Sequence, residues 1–165
     1  TFVEHFLATV AGFKVGDPID PATYIGAIAC APQLAVLDAQ VADARAKGAT
    51  LRCGGKRLPG PGNWYAPSVF TEVDHTMALM REESFGPIIG IQRVSGDDEA
   101  VRLLNDTRYG LTAGVFTRDE ARAREWLKRS NRALAGERPL ELLGSDAGAE
   151  LVVAELGRIE FGELY

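Results

Sequence analysis

Apolar residues recur at helical spacing in two stretches near the start of the chain. Phe2, Phe6 and Val10 fall on one face of a helix, so the pattern predicts a short amphipathic helix there. A second helix is predicted from about Pro32 to Lys47, followed by Gly48 at the position where a glycine commonly ends a helix. The inward face of this second helix consists of Leu34, Leu37, Val41 and Ala44.

Four segments have the pattern of short strands, separated by glycine, proline and polar residues. They are residues 49–53, 64–70, 88–94 and 111–116. In the second segment, Pro67 cannot donate to a ladder and is therefore expected at a sheet edge or at the start of a strand. The third segment is an almost continuous apolar run, which is typical of a strand covered on both faces.

Helices are also predicted beside the later strands. A helix over residues 97–105 places Ala100, Val101 and Leu104 inward, and another is predicted over residues 119–128. Helices that alternate with buried strands indicate an α/β fold with a parallel or mixed sheet and helices on its faces.

The strand pattern ends after residue 129. A helical turn is predicted at residues 138–143, and Asp146 is suited to cap a helix over residues 147–156. We therefore expect a small all-helical segment at the end of the chain, too short to hold a core by itself. Such a segment must pack on the first part, pair with a second copy or bind a partner.

Composition and charge narrow the function classes. The 165 residues are 46% hydrophobic and 25% charged, as in ordinary globular proteins, which excludes a disordered chain. The net charge of -5 argues against nonspecific nucleic-acid binding, and no apolar run is long enough to cross a bilayer. No metal site and no signal peptide is visible, and two cysteines cannot form a disulfide framework, so a cytoplasmic protein is expected.

The segment Glu82-Glu83-Ser84-Phe85-Gly86-Pro87 resembles the E-E-x-F-G-P motif of the aldehyde dehydrogenase superfamily. The resemblance implies a partial catalytic-domain sheet with flanking helices and NAD as the cofactor. Glu83 would hydrogen-bond the nicotinamide ribose, and Phe85 would pack near the nicotinamide ring. Taken alone, the two glutamates would be a solvated acidic pair before a strand. Further pieces match in family order, at residues 15–18, 48–49, 54–55, 66–70 and 105–117.

The same resemblance implies which parts of the family's machinery to look for. Its reaction uses a cysteine thiolate, a general-base glutamate and an oxyanion-hole amide, all of which belong upstream of the matching region. Neither Cys30 nor Cys53 stands at the nucleophile position, so both are interpreted as structural and no catalytic residue is expected. His5 and His75 are isolated in the sequence and are expected to be solvated.

The end of the chain resembles a second, unrelated family. Trp126-Leu127, the run 138–143 and the run 156–162 are similar to the toxin-binding domain at the C-terminus of Xre/MbcA/ParS-type antitoxins. The resemblance implies a partner, a toxin of the RES type that consumes NAD. Val152 and Leu156 are interpreted as apolar packing positions instead. The toxin-facing residues would be Arg158, Ile159, Glu160, Phe161 and Gly162.

Both resemblances together predict a fusion, with a dehydrogenase-like part at residues 1–125 and an antitoxin-like part at residues 126–165. The first interpretation is a truncated NAD(P)-dependent aldehyde dehydrogenase-like oxidoreductase that is inactive alone, because its nucleophile is missing. The alternative is an antitoxin that neutralises a RES-type toxin. A third is a remnant that self-associates or binds a full-length dehydrogenase through an open sheet edge and an uncovered apolar face. No nucleic acid and no membrane is expected as a partner.

Overall fold

The computed structural model describes residues 1–109 and 116–130, together with Arg138 and Glu141. The chain divides into two units, Thr1–Asp106 and Thr107–Tyr165. The predicted strand at 111–116, apart from Phe116, the helix at 147–156 and the toxin-facing residues 158–162 lie outside the described residues. No helix in the described part of the chain combines the length and apolar character needed to cross a bilayer.

The first unit contains four helices and three strands among its described residues. The second unit contributes α5. In chain order the elements are α1 Phe2–Ala11, α2 Ala31–Ala46, β1 Thr50–Cys53, β2 Ser68–Thr71, α3 Ala78–Arg81, β3 Ile88–Ile91, α4 Asp97–Leu104 and α5 Glu120–Lys128.

The sheet of the first unit is mixed, as the alternating pattern predicts. Its strand order is β1-β2-β3, with β1 antiparallel and β3 parallel to the central β2. Pro67 stands directly before β2, where its missing N–H costs no ladder hydrogen bond. All four residues of β2 are buried, so the centre of the sheet is also the centre of the core.

Helix α2 supplies the other half of the core. Proline lies in its first turn, where no hydrogen-bond donor is needed, and Gly48 adopts a left-handed φ of 94° just beyond its end. All four predicted inward residues are buried, together with Gln40, which the apolar pattern does not include. The stripe packs against Tyr65, Phe70, Val73, Met77 and Leu79.

Three expectations about exposure are wrong. Ile89 on β3 is 44% exposed because α1 leaves a groove of about 210 Å³ over this part of the sheet. In α4, Leu103 is buried while Leu104 is 55% exposed, since both lie within helical reach of Ala100 and spacing alone cannot choose between them. The side chain of His75 is only 14% exposed. Its Nδ1 lies 3.2 Å from a carboxylate oxygen of Asp106, a residue distant in sequence.

Candidate functional site

The segment Glu82–Pro87, here called the 82–87 loop, connects α3 to β3. Its first residue ends α3, and the N–H of Glu82 donates to the carbonyl of Ala78 at 2.8 Å. At the other end, the carbonyl of Pro87 accepts from the N–H of Ser68 at 2.8 Å. The loop is therefore joined to a helix at one end and to the central strand of the sheet at the other.

One face of α2 holds the middle of the loop. The side-chain amide of Gln33 donates to the carbonyl of Ser84 at 2.5 Å, and that of Gln40 donates to the carbonyl of Glu83 at 3.3 Å. Leu37 lies between the two glutamines on the helix surface and is fully buried. Two successive carbonyls of the loop are thus bound to a single rigid element.

Gly86 lies directly over Leu37. A Cβ atom at this position would come within 2.6 Å of Cδ1 of Leu37, which is closer than side chains tolerate. A larger residue at position 86 would therefore force the buried side chain of Leu37 to move, whereas glycine lets the loop approach α2 this closely.

Phe85 has the left-handed backbone conformation that bulky residues avoid. Its φ is 41°, and its side chain is nevertheless exposed, with 76% of the residue accessible. Such a conformation costs on the order of 1–3 kcal/mol and persists only where the surroundings enforce it. An exposed aromatic ring on a strained backbone contributes little to packing, so its position is a candidate functional feature.

The loop presents an acidic group beside this ring. Glu82 and Glu83 are both exposed, and Glu83 is fixed through its backbone carbonyl while its carboxylate faces solvent. The two residues expected at a cofactor site, Glu83 and Phe85, therefore stand on one loop with exposed side chains. An exposed carboxylate can bind a diol, and an exposed ring can cover one face of a planar heterocycle.

Helix α3 is attached to the same scaffold. Asp43 of α2 accepts the backbone N–H of Ala78 at 2.8 Å and forms an ion pair with Lys47 at 2.6 Å. The hydrogen bond from Lys47, followed by that from the Ala78 N–H, lowers the pKa of Asp43 below its ordinary value. The carboxylate thus remains charged at neutral pH and keeps the start of α3 in place.

The two cysteines are placed differently from each other. Cys30 is exposed at the residue preceding α2, and Cys53 lies on β1 with its thiol 3.6 Å from the carbonyl of Pro67. The strand β2 separates β1 from β3, which follows the 82–87 loop. Among the described residues, no group of three or more metal-ligating side chains is close enough to hold a metal ion.

The contribution of α2 was not predicted from the sequence. A signal for it exists, because Gln40 is a polar residue inside an otherwise apolar helical stripe and is only 3% exposed. A buried amide requires hydrogen-bond partners, which marks such a position as one that holds another segment.

The comparisons with known proteins agree with this architecture. The model of the aldehyde dehydrogenase family matches residues 1–134, and the chain therefore belongs to that family. Its mixed sheet and flanking helices are a part of the family's α/β fold, as solved relatives of similar structure indicate.

Among curated relatives, succinate-semialdehyde dehydrogenase (NADP⁺) 1 of Mycobacterium tuberculosis is 44% identical over 126 residues, which cover 76% of this chain and 28% of that protein. The solved succinate-semialdehyde dehydrogenase of Burkholderia pseudomallei superposes with a TM-score of 0.72 at 35% identity, over 75% of this chain and 26% of the other. An aldehyde dehydrogenase of Mycobacterium tuberculosis complexed with NAD⁺ gives 0.69 at 34% identity, over 74% and 26%. The chain thus spans little more than a quarter of the length of these relatives.

A second family model matches the end of the chain. It is the Xre/MbcA/ParS C-terminal toxin-binding domain of antitoxins, and it covers residues 113–162. The two matches share residues 113–134, and α5 lies inside this shared stretch. Both predicted resemblances are therefore confirmed at the level of the family models.

Proposed function

We propose that residues 1–125 form the nicotinamide-facing part of an NAD(P)-dependent aldehyde dehydrogenase catalytic domain, with Glu83 and Phe85 as its cofactor-binding residues. The observation that carries this proposal is the exposure of both side chains on a loop whose backbone is bound to α2. Relatives named for NADP⁺ and solved with NAD⁺ support the choice of cofactor. When bound, NAD(P) would supply the hydride acceptor for aldehyde oxidation.

Glu83 has the chemistry for the ribose contact. Its carboxylate is exposed and accepts hydrogen bonds only, so it suits a vicinal diol that donates two. Hydrogen bonds to a charged acceptor are shorter and stronger than neutral ones. Because α2 already fixes the backbone of this residue, little backbone entropy is lost when the contact forms.

Phe85 has the shape for the neighbouring contact. Its ring is exposed and would exclude water from one face of the nicotinamide. The left-handed backbone places this ring on the loop surface at an energetic cost, which is typical of residues retained for function.

A matched pair of variants tests the cofactor assignment. Glu83→Gln keeps the shape of the side chain and removes its charge, whereas Glu82→Gln makes the same change at the adjacent exposed glutamate. We expect calorimetric titration with NAD⁺ and NADP⁺ to show a loss of affinity of about tenfold or more for Glu83→Gln, since hydrogen bonds to charged groups contribute about 1.5–3 kcal/mol. An equal loss in both variants would contradict the assignment.

We further propose that the 165-residue chain alone does not oxidise aldehydes. Cys53 lies on the far strand of the sheet from the 82–87 loop, and Cys30 is an exposed residue at a helix start. Without a positioned thiolate, covalent catalysis is lost. Incubation with NAD(P)⁺ and short aldehydes, beginning with succinate semialdehyde, should give no reduced cofactor by absorbance. Measurable turnover would contradict the proposal. If it persists in the double variant Cys30→Ser, Cys53→Ser, the reaction does not use a cysteine nucleophile, and if the double variant abolishes it, one of the two cysteines is the nucleophile.

A second function is favoured by the antitoxin match over residues 113–162. We propose that residues 126–165 bind a toxin of the RES type, with Arg158, Ile159, Glu160, Phe161 and Gly162 at the interface. Aromatic residues are frequent anchors of protein interfaces. Co-expression with such a toxin should yield a co-purifying complex, and Phe161→Ala should weaken it. If Phe161→Ala leaves the affinity unchanged, Phe161 is not part of the interface. If no complex forms with the parent chain, the proposed toxin-binding function is wrong.

A further inference from the structure

We infer that Gln33 and Gln40 are positioning residues, whose side-chain amides set the backbone of the 82–87 loop and hold Phe85 in its left-handed conformation. The inference concerns how the loop is built, and its consequence for cofactor binding rests on the function proposed above. It assigns a role to two residues of α2 that stand outside the E-E-x-F-G-P motif.

The first step of the argument is the geometry of the peptide groups. The carbonyl of Ser84 belongs to the peptide group that also contains the nitrogen of Phe85, and peptide groups are planar. When Gln33 binds this carbonyl, it fixes the plane from which the φ of Phe85 is measured. Gln40 binds the preceding carbonyl, that of Glu83, and fixes the plane before it. Two consecutive planes are therefore set by a single helix.

The second step is the constraint after Phe85. Gly86 is held over Leu37 on the same helix, and Pro87 is bound to Ser68 of the central strand. The chain must turn from the carbonyl held by Gln33 to this contact within one residue. A φ of 41° at Phe85 is the result, and no glycine is present there to adopt it without strain.

The third step concerns the buried amide itself. Gln40 is 3% exposed, and its Oε1 has no hydrogen-bond partner within the described part of the chain, so the residue carries an unsatisfied buried acceptor. An apolar side chain of similar size would fill the same space without that cost. Its Nε2 donates to the carbonyl of Glu83, and this contact accounts for its presence.

Three variants test the inference. Gln40→Met keeps the volume and removes both the donor and the unsatisfied acceptor, and Gln33→Ala removes the donor at a half-buried site. Ala35→Glu changes an exposed residue of the same helix and is the control. The direct readout is the intraresidue NOE between the amide proton and Hα of Phe85, which is strong only at positive φ. The second readout is the affinity for NAD⁺ by calorimetry.

We expect a strong Phe85 NOE in the parent chain and in Ala35→Glu. In Gln40→Met and Gln33→Ala the NOE should weaken. The melting temperature of Gln40→Met should stay near that of the parent. A purely structural role would lower the melting temperature and leave the NOE unchanged. An NOE unchanged in both glutamine variants would overturn the inference. If the NOE weakens but no form of the chain binds NAD⁺, the positioning role stands and the proposed cofactor function fails.

Discussion

At the scale of single residues, the informative positions are those where the local chemistry opposes the local conformation. Phe85 has a backbone that suits glycine and a side chain that suits a core, yet its ring is exposed. Gln40 is a polar side chain in the core. Both conflicts involve the contact between the 82–87 loop and α2. Conflicts of this kind are expected where function constrains a fold.

Replacing Phe85 with glycine and with alanine tests the strain at this position. Both substitutions remove the ring, but only glycine adopts a φ of 41° freely, so we expect Phe85→Gly to be more stable than Phe85→Ala by about 1 kcal/mol. At an ordinary position the order is reversed, because glycine loses more backbone entropy on folding. Urea unfolding of the two variants measures the difference, and alanine being the more stable would contradict the left-handed assignment.

Tyr65 gives a prediction about alkaline pH. Burial, followed by the nearby carboxylate of Asp38, raises the pKa of this phenol from its ordinary value of about 10 to about 12. As the pH is raised, Tyr65 therefore loses its proton in the unfolded chain before it does so in the folded chain. The contribution of Tyr65 to stability is constant below pH ~10 and is lost as the pH rises toward 12.

The measurement is the free energy of unfolding as a function of pH over this alkaline range. Tyr65→Phe should flatten the decline, since it removes the group whose ionisation drives it. Tyr24→Phe, at a tyrosine that is 56% exposed, is the matched control and should leave the decline in place. Identical profiles for the parent chain and Tyr65→Phe would contradict the effect of burial.

At the scale of elements, the sequence predicted those features that follow from the spacing of apolar residues and from the chemistry of proline. The buried stripe of α2 and the start of β2 after Pro67 follow from periodicity and from the chemistry of proline. Whether other elements bury both faces of a strand cannot be predicted from its own sequence, because it depends on what packs against that strand. Ile89 belongs to an apolar run and is still 44% exposed beside the groove under α1.

The same reasoning separates the parts of the candidate site that the sequence could reveal from those it could not. Glu83 and Phe85 were predicted as cofactor-binding residues because they belong to one contiguous motif with a family resemblance, and they remain a prediction. Gln33 and Gln40 contact the loop from positions 51 and 43 residues away in sequence. Only the folded chain brings them to the carbonyls of Ser84 and Glu83. The sequence alone shows only that Gln40 is a polar residue within an apolar helical stripe.

The helices α1 and α2 should differ in local stability. Helix α1 has a capping box in which Thr1 accepts the N–H of Glu4, but none of its residues is buried, whereas α2 buries five. Capping alone does not stabilise a helix of ten residues in water. Hydrogen exchange should therefore show weak protection of the amides of α1 and protection near the global value for α2. Equal protection of the two helices would contradict this description.

At the scale of the whole molecule, the chain combines a match to aldehyde dehydrogenases with a match to an antitoxin domain. We propose a boundary between residues 125 and 126, within the shared stretch 113–134. The dehydrogenase part carries the loop that we propose to face the nicotinamide, and it spans only 28% of a relative such as the mycobacterial enzyme. The two proposed functions act through different residues, Glu83 and Phe85 in the first part and residues 158–162 in the second.

The most direct test of the central claim is an NMR titration of the isotope-labelled chain with nicotinamide mononucleotide, which carries the ribose and the ring that Glu83 and Phe85 are proposed to contact. We predict chemical-shift changes centred on the 82–87 loop and on Gln33 and Gln40, which require a higher ligand concentration in Glu83→Gln and are preserved in Glu82→Gln. Changes centred on any other part of the chain, or no change in the loop at millimolar ligand, would contradict the account.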